Sequence, residues 1–404
     1  MNSKYNILIV GGGAAGFFTA INIVEKNPRL KVAILERGKS VLEKVRISGG
    51  GRCNVTHACF VPNDLVKNYP RGEKELRGPF YQFCSGDTIE WFEKHGIELK
   101  IEDDGRMFPV SNSSQTIIDC FTTATNKLGI DVLTSQSVQS IFKSTDFWKV
   151  ETNTETFACN NLILATGSNP KIWELLKQIG HSVISPVPSL FTFNCKDERI
   201  KDLMGLSCLA TVKVKKTKLE SSGPLLITHW GFSGPGILRL SAWGAIDLFK
   251  KNYQFVLQVN WLNDVDFESC LENLKKLKLE HAKKAVSKKA PFDMPNRLWE
   301  SLVHASKITT DKIWADLNKE QLTNLANQLV NCEFQINGKS TFKEEFVTAG
   351  GIDLKEINFK NMQSKLHENL YFAGEIVNVD AITGGFNFQN AWTSGFIVAN
   401  SLSL

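Results

Sequence analysis

Two glycine-rich stretches carry most of the chemistry legible in this chain. The first, Gly11-Gly-Gly13-Ala-Ala-Gly16, fits the pattern G-x-G-x-x-G. It follows a continuous apolar run, Asn6-Ile-Leu-Ile-Val10, of the kind buried on both faces of a parallel sheet. After it come Phe17, Phe18, Ala20, Ile21 and Val24, an apolar stripe at helical spacing. Gly11 permits the tight turn, Gly13 lets the backbone with Ala14 and Ala15 approach a pyrophosphate, and Gly16 lets helix and strand pack closely. The helix N-terminus adds free N–H groups and a partial positive charge. A second apolar run, Lys31-Val-Ala-Ile-Leu35, ends in Glu36, twenty residues beyond Gly16, with Arg37 next to it. A carboxylate there is placed to accept hydrogen bonds from a ribose diol. The pattern reads as a dinucleotide site, and the acid favours a free 2′-hydroxyl, hence FAD or NAD over NADP.

The second stretch is Lys44-Val-Arg-Ile-Ser48-Gly-Gly-Gly51-Arg-Cys-Asn54-Val-Thr-His57. A simple NAD dehydrogenase would continue here into another regular strand–helix unit. Gly49, Gly50 and Gly51, flanked by Ser48, Arg52, Cys53 and Asn54, can instead wrap closely around a flat polar ligand.

The run S-G-G-G-R-C-N resembles the signature of the HI0933-like flavoprotein family, also described as NAD(P)/FAD-dependent or aminoacetone oxidase-like oxidoreductases. Further stretches resemble the family in order along the chain: Gly105-Arg-Met-Phe-Pro-Val110, Asn161-Leu-Ile-Leu-Ala165-Thr166-Gly167, Thr228-His-Trp-Gly-Phe-Ser-Gly-Pro-Gly236, Asn369-Leu-Tyr-Phe-Ala-Gly374-Glu375 and Gly384-Gly385-Phe386-Asn387-Phe388-Gln389. Three positions depart from the usual pattern: Asn378 stands at an acidic position, Ala381 at a glycine and Phe386 at a tyrosine.

The resemblance implies an α/β fold, with a glutathione-reductase-like, Rossmann-type FAD-binding domain holding the cofactor non-covalently. It implies cofactor contacts from Lys44, from Ala165 to Gly167, from Gly374 and Glu375, from Asp380, and from Gly385 to Phe388, and a backbone contact to adenine from Val138. The helix after Gly385 would aim its N-terminus at the pyrimidine end of the flavin and stabilise negative charge on the reduced ring. With one dinucleotide fingerprint, NAD(P)H would bind only transiently at the flavin face. No catalytic acid or base is assigned. His229 is a candidate acid or base, and Cys53 a candidate for a redox role through a thiol pKa lowered by neighbouring Arg52.

Around these motifs, the chain reads as helices at 87–95 and 115–128 and short strands between 131 and 159. Pro186 and Pro188 mark a break, after which short alternating strands follow, then a lysine-rich helical stretch from Phe267 to Ala290 and further helix to Val330. Phe334–Ile336 and Phe342–Thr348 read as strands returning to the first domain. The expected organisation is an FAD domain of residues 1–185 and 346–404, with an inserted β-rich domain at 186–345 carrying a helical subdomain at about 265–330.

Composition excludes the non-globular classes: 42% of residues are hydrophobic and 22% charged, with 47 Lys and Arg against 42 Asp and Glu. The nine cysteines form no C-x-x-C pair, so neither a zinc site nor a disulfide framework is expected. No signal peptide or membrane span is read, and the expected location is cytoplasmic. A net charge of +5 over 404 residues is too small to argue for nucleic acid by itself, a nucleic-acid partner is not expected, and the lysine stretch reads as a solvated helix face partnered by Glu268, Glu272 and Glu280. The expected function is FAD-dependent oxidation or reduction of a small molecule by hydride transfer through flavin N5. The alternative is a flavoprotein that binds or modifies RNA. Aminoacetone oxidation and reduction of unsaturated bile-acid ketones are implied by the resemblance alone.

Overall fold

In the first unit the apolar runs pair as parallel strands, because each is buried on both faces and each is followed by a crossover long enough to return. The computed structural model describes residues 3–340 and 347–402. The chain divides into two compact units, Met1–Val187 with Lys343–Leu404, and Pro188–Phe342. Ser3–Val10 lies at the centre of the first unit's sheet, between Val32–Leu35 and Thr156–Leu164, in register Leu8 to Ala33 and Leu8 to Leu162. Asp131–Leu133 extends one side and Leu370–Phe372 the other, all parallel. The hairpin Val138–Lys143 and Trp148–Thr152 attaches antiparallel to Thr156–Leu164, with an irregularity between Val138 and Ser140.

Two helices cover this sheet where their small residues allow it. Ala14–Lys26 crosses the closing helix, Phe386–Leu402. A Cβ on Gly395 would fall 2.6 Å from the Thr19 hydroxyl, so glycine sets the closeness of that crossing. Beside it Phe18 packs on Trp91 and Trp392, with ring centroids 4.6 and 5.3 Å away. The Trp392 indole is fully buried and donates to the Val55 carbonyl at 2.8 Å.

The second unit is built on a seven-stranded sheet whose longer strands read apolar-in, polar-out. Cys332–Asn337 alternates buried and exposed along its whole length and pairs antiparallel with Gln254–Asn260. That pairing corrects the expectation that Phe334–Ile336 returns to the first domain. Trp261, Trp299 and Phe334 fill the core under the helices Phe267–Glu280, Asn296–Ala305 and Lys319–Val330.

Two further expectations are revised. Pro186 and Pro188 lie inside a strand, Val183–Ser189, whose single partner is Val347–Ile352; in a two-stranded sheet a missing N–H can face away from the pairing. The lysine-rich stretch is helical only to Glu280, after which backbone bonds to another segment replace the helical ladder: Val286 N–H donates to Lys312 and Trp314 N–H to Lys284. The expected strand Phe342–Thr348 lies mostly outside the described residues. All nine cysteines are free thiols, and burial raises every one of their pKa values, five of them to about 12 and two, Cys208 and Cys332, to about 11. Among the described residues, no helix is long and apolar enough to cross a membrane.

Replacing Trp392 by Ala removes a fully buried indole and orphans the Val55 carbonyl. The expected loss is about 3–5 kcal/mol of stability. Trp392→Phe should lose less, and urea unfolding of both variants checks the order.

Candidate dinucleotide and flavin site

Three loops leave the carboxyl ends of adjacent parallel strands and meet at one crevice, the usual ligand position of an open α/β sheet. They are the turns at Gly11–Gly13, Ala165–Gly167 and Gly374–Glu375. Gly11 has φ +117°, and a Cβ there would lie 2.3 Å from the Ala165 carbonyl oxygen. A Cβ on Gly16 would lie 2.0 Å from the Gly11 carbonyl oxygen. Gly13, by contrast, has nothing within 4 Å of its Cβ position, and it caps the Ala14–Lys26 helix without a side-chain bond. The first N–H groups of that helix are therefore available to an anion. Ala15 sits across from Gly374, 3.0 Å from that residue's Cβ position. Lys44 Nζ and Glu375 Oε2 pair at 2.7 Å, and both lie within 4 Å of the Gly167 Cβ position. The second Glu375 oxygen accepts from Thr348 N–H at 3.2 Å.

Beside these turns opens a cleft of about 440 Å³, lined by Val10, Gly11, Leu35, Glu36, Arg37, Gln136, Ser137, Val138, Thr166, Asn169, Lys171 and Ile172. Glu36 accepts from Gly12 N–H at 2.9 Å and from Gly38 N–H at 2.7 Å. A carboxylate has about four lone-pair sites, so two remain for a diol. The Thr166 hydroxyl on the cleft wall is buried and has no hydrogen-bond partner. Sequence reading had placed Glu36, Arg37, Val138 and Thr166 here and missed Gln136, Asn169 and Lys171. Asn169 carried a usable signal: Asn169-Pro170 is a helix start, and its side chain does accept from Lys171 N–H at 3.1 Å.

The second glycine stretch is a helix that comes apart. Glu43–Gly51 breaks at Ser48, after which Gly49, Gly50 and Gly51 have φ of +57°, +69° and +84°. Three successive left-handed residues demand glycine. Ser48 turns its hydroxyl back to the Val45 carbonyl at 2.8 Å. The Arg52 guanidinium lies 3.9 Å over the Phe108 ring and pairs with Glu102 at 2.6 Å, so its charge braces the loop. Cys53 follows at φ +60°, fully buried. Burial pushes its thiol up to about 12, correcting the expectation of a lowered value, because Arg52 is turned to Glu102 and low-dielectric surroundings disfavour the thiolate.

Asn54 straps this loop to the start of the closing helix. With its amide oxygen towards Gly385 it accepts that N–H at 3.0 Å and donates to the Thr56 and Met107 carbonyls. Gly385 has φ +93°, and a Cβ there would meet the Thr56 carbonyl at 2.5 Å. Phe386 begins the helix, stacked on His57 at 4.6 Å, and the Tyr69 hydroxyl donates to its carbonyl at 2.6 Å. The Asn387 side chain bonds both backbone groups of Ala381, and Phe388 stacks on Trp392. Asp380 is fully buried and forms a two-pronged ion pair with Arg71, a partner that sequence reading missed. The signal was general: a buried carboxylate calls for a cation. His57 donates Nε2–H to the Asp104 carbonyl at 3.1 Å, its buried Nδ1 has no partner, and burial lowers its pKa. In the second unit His229 is exposed at the turn between Glu220–Thr228 and Gly231–Ser233.

These features fit FAD. An open cleft with a tethered carboxylate adjoins a free helix N-terminus, and Thr166, whose buried hydroxyl has no partner among the described residues, stands on its wall. The helix beginning at Phe386 has no acidic residue in its first turn to cancel its dipole.

Asp380→Ala leaves Arg71 half-buried without its counter-charge and should lower stability by about 3–5 kcal/mol. The double change Arg71→Met with Asp380→Leu should recover most of it; chemical unfolding measures both. Gly385→Ala forces the strap apart, and the purified variant should retain less than about a tenth of the flavin absorbance per polypeptide.

Comparison with known proteins agrees with this geometry. The HI0933-like protein Rossmann domain model matches residues 5–401. "Ribosomal RNA dihydrouridine synthase" of Escherichia coli is 28% identical over 99% of this chain and 98% of its own, and that of Haemophilus influenzae 28% over 98% of each. The 3-dehydro-bile acid delta(4,6)-reductase of Clostridium scindens is 24% identical over 97% of this chain and 98% of its own. The 3-ketosteroid delta1-dehydrogenase structure from Sterolibacterium denitrificans shares the fold, with TM-score 0.52, 11% identity and full coverage of both chains. The match to ribosomal RNA enzymes overturns the expectation against a nucleic-acid partner. That expectation averaged the charge over the chain, whereas residues 188–342 hold 22 Lys and Arg against 16 Asp and Glu, a net +6, and the remainder stands at −1. The chain belongs to the HI0933-like family and is an FAD-dependent oxidoreductase of Rossmann-type α/β fold.

Proposed function

We propose that this protein reduces a uridine in ribosomal RNA to dihydrouridine. The observation that carries the reading is the end-to-end match to two ribosomal RNA dihydrouridine synthases. The charge distribution supports it, since the chain's positive excess is confined to residues 188–342. Bound FAD would supply a hydride, replenished by a two-electron donor such as a reduced nicotinamide. The C5–C6 bond of uracil is conjugated to the C4 carbonyl, so C6 accepts hydride and C5 then takes a proton.

The chain's own residues have three tasks in this reading. Glu36, Arg37 and Val138 would hold the adenosine. Gly11, Gly13, Ala14, Ala15, Gly16, Ala165, Thr166, Gly167, Lys44, Gly374 and Glu375 would surround the pyrophosphate. The loop from Ser48 to Asn54 and the helix start at Gly385, Phe386, Asn387 and Phe388 would embrace the flavin, with Asp380 and Arg71 fixing the loop between. A target uracil must leave its stack to meet a ring held in this way, which favours an unpaired or readily opened nucleotide.

The test uses ribosomal RNA from cells lacking the gene. Incubation with the flavin-loaded protein and NADH or NADPH, then nucleoside mass spectrometry, should show one uridine gaining two hydrogens. Unchanged RNA alongside turnover of a 3-keto-4-ene steroid would replace this reading with small-molecule reduction.

A further inference from the structure

Four lysines in the second unit are arranged unlike the others. Lys283, Lys284, Lys288 and Lys289 are exposed, yet the residues between them, Val286 and Ser287, are buried at 0% and 4% exposure. The backbone is fixed on both sides of that anchor. Val286 N–H donates to the Lys312 carbonyl at 2.9 Å and its carbonyl accepts from the Trp299 indole at 2.8 Å. The Ser287 hydroxyl donates to the Thr310 carbonyl at 3.0 Å. Trp314 N–H and Ala315 N–H donate to the carbonyls of Lys284 and Ala282, both at 3.0 Å. The segment is therefore a rigid ledge that presents two pairs of ammonium groups.

None of the four pairs with a carboxylate among the described residues; Lys284 approaches only His281 Nδ1, at 3.4 Å. In the preceding helix Lys275 pairs with Glu272 at 3.1 Å and Lys278 donates to the Leu317 carbonyl, while Lys276 pairs with no carboxylate among the described residues. Lys312 and Lys307 add charge from the facing segment. An open groove adjoins the ledge, lined by Ala285, Ser287, Lys288, Glu300, His304 and Thr310. Glu300 lines the same space, and Glu280, Asp311 and Asp316 lie on the adjoining segments.

We propose that this ledge docks the phosphate backbone of the RNA substrate, an inference that rests on the RNA reading above. Lysine ammoniums are point charges suited to phosphate oxygens without base preference. The ledge's apolar anchor, Val286, is spent on the core, and no large apolar side chain is exposed between residues 280 and 290, Leu279 on the preceding helix being the nearest in sequence, so the ledge itself offers a folded protein partner little apolar surface. Holding the backbone rigid leaves only side-chain rotamers to be ordered on binding.

The test compares the flavin-loaded wild type with a quadruple variant, K283A/K284A/K288A/K289A, and with a control, K201A/K213A/K215A/K275A, whose lysines are ion-paired. The probe is a protein-free ribosomal RNA transcript titrated at several salt concentrations. The ledge variant should bind about tenfold or more weakly at physiological salt, with a log–log salt slope shallower by about three. Its flavin content and thermal midpoint should match the wild type, and the control should bind nearly as the wild type does. Equal binding by the ledge variant overturns the ledge and leaves the RNA reading standing. Equal losses in both variants also overturn it, as an effect of net charge alone. No binding of RNA by the wild type at low salt removes the RNA reading and the ledge together. Loss of anionic-vesicle binding at unchanged RNA affinity would reassign the lysines to a membrane surface.

Discussion

The first unit depends on a place where backbones approach too closely for side chains. Gly11 presses on the Ala165 carbonyl and Gly16 on the Gly11 carbonyl, while Gly374 faces Ala15. This contact draws together the ends of three parallel strands and aims a helix N-terminus at the gap they leave. The doubly tethered Glu36, the Lys44–Glu375 pair and the Thr166 hydroxyl are arranged around it. A methyl group at Gly11 or Gly16 would change no charge, yet it would separate the elements that give those charges their positions.

A second constraint governs the flavin end. Asn54, Thr56 and Gly385 hold two remote parts of the sequence in one hydrogen-bonded strap, and Tyr69 and Arg71 add bonds from a third. The buried Arg71–Asp380 pair fixes the loop before the closing helix. Such a pair adds little net stability, but removing one partner strands a charge, so it specifies one loop arrangement.

Much of this was legible in the residues. The strand–turn–helix around Gly11 and the apolar runs at Ile7, Ala33 and Leu162 carry local signals, because burial on both faces leaves few alternatives. The insertion was visible in its alternating strands. What escaped depended on distant partners. Arg71 looks like any surface arginine until Asp380 is brought to it. Cys53 looked activated by its neighbour Arg52, and only the fold shows that guanidinium turned to Glu102. The lysines after Glu280 continue a helical pattern on paper, but bonds from residues 310 to 315 draw the chain out of the helix. Net charge misled for a related reason: an average over the chain conceals a basic unit beside a nearly neutral one.

The nine free thiols, six of them buried, bear on the protein's chemical durability. Reduced flavins exposed to air generate hydrogen peroxide, and peroxide attacks cysteine through the thiolate. Cys53 lies in the loop assigned to the flavin, and at a pKa of about 12 it stays protonated throughout the physiological range. The other eight are shifted in the same direction by the same cause. Packing thus keeps the protein's sulfur in the slow-reacting protonated form beside a cofactor whose reduced state can yield peroxide in air.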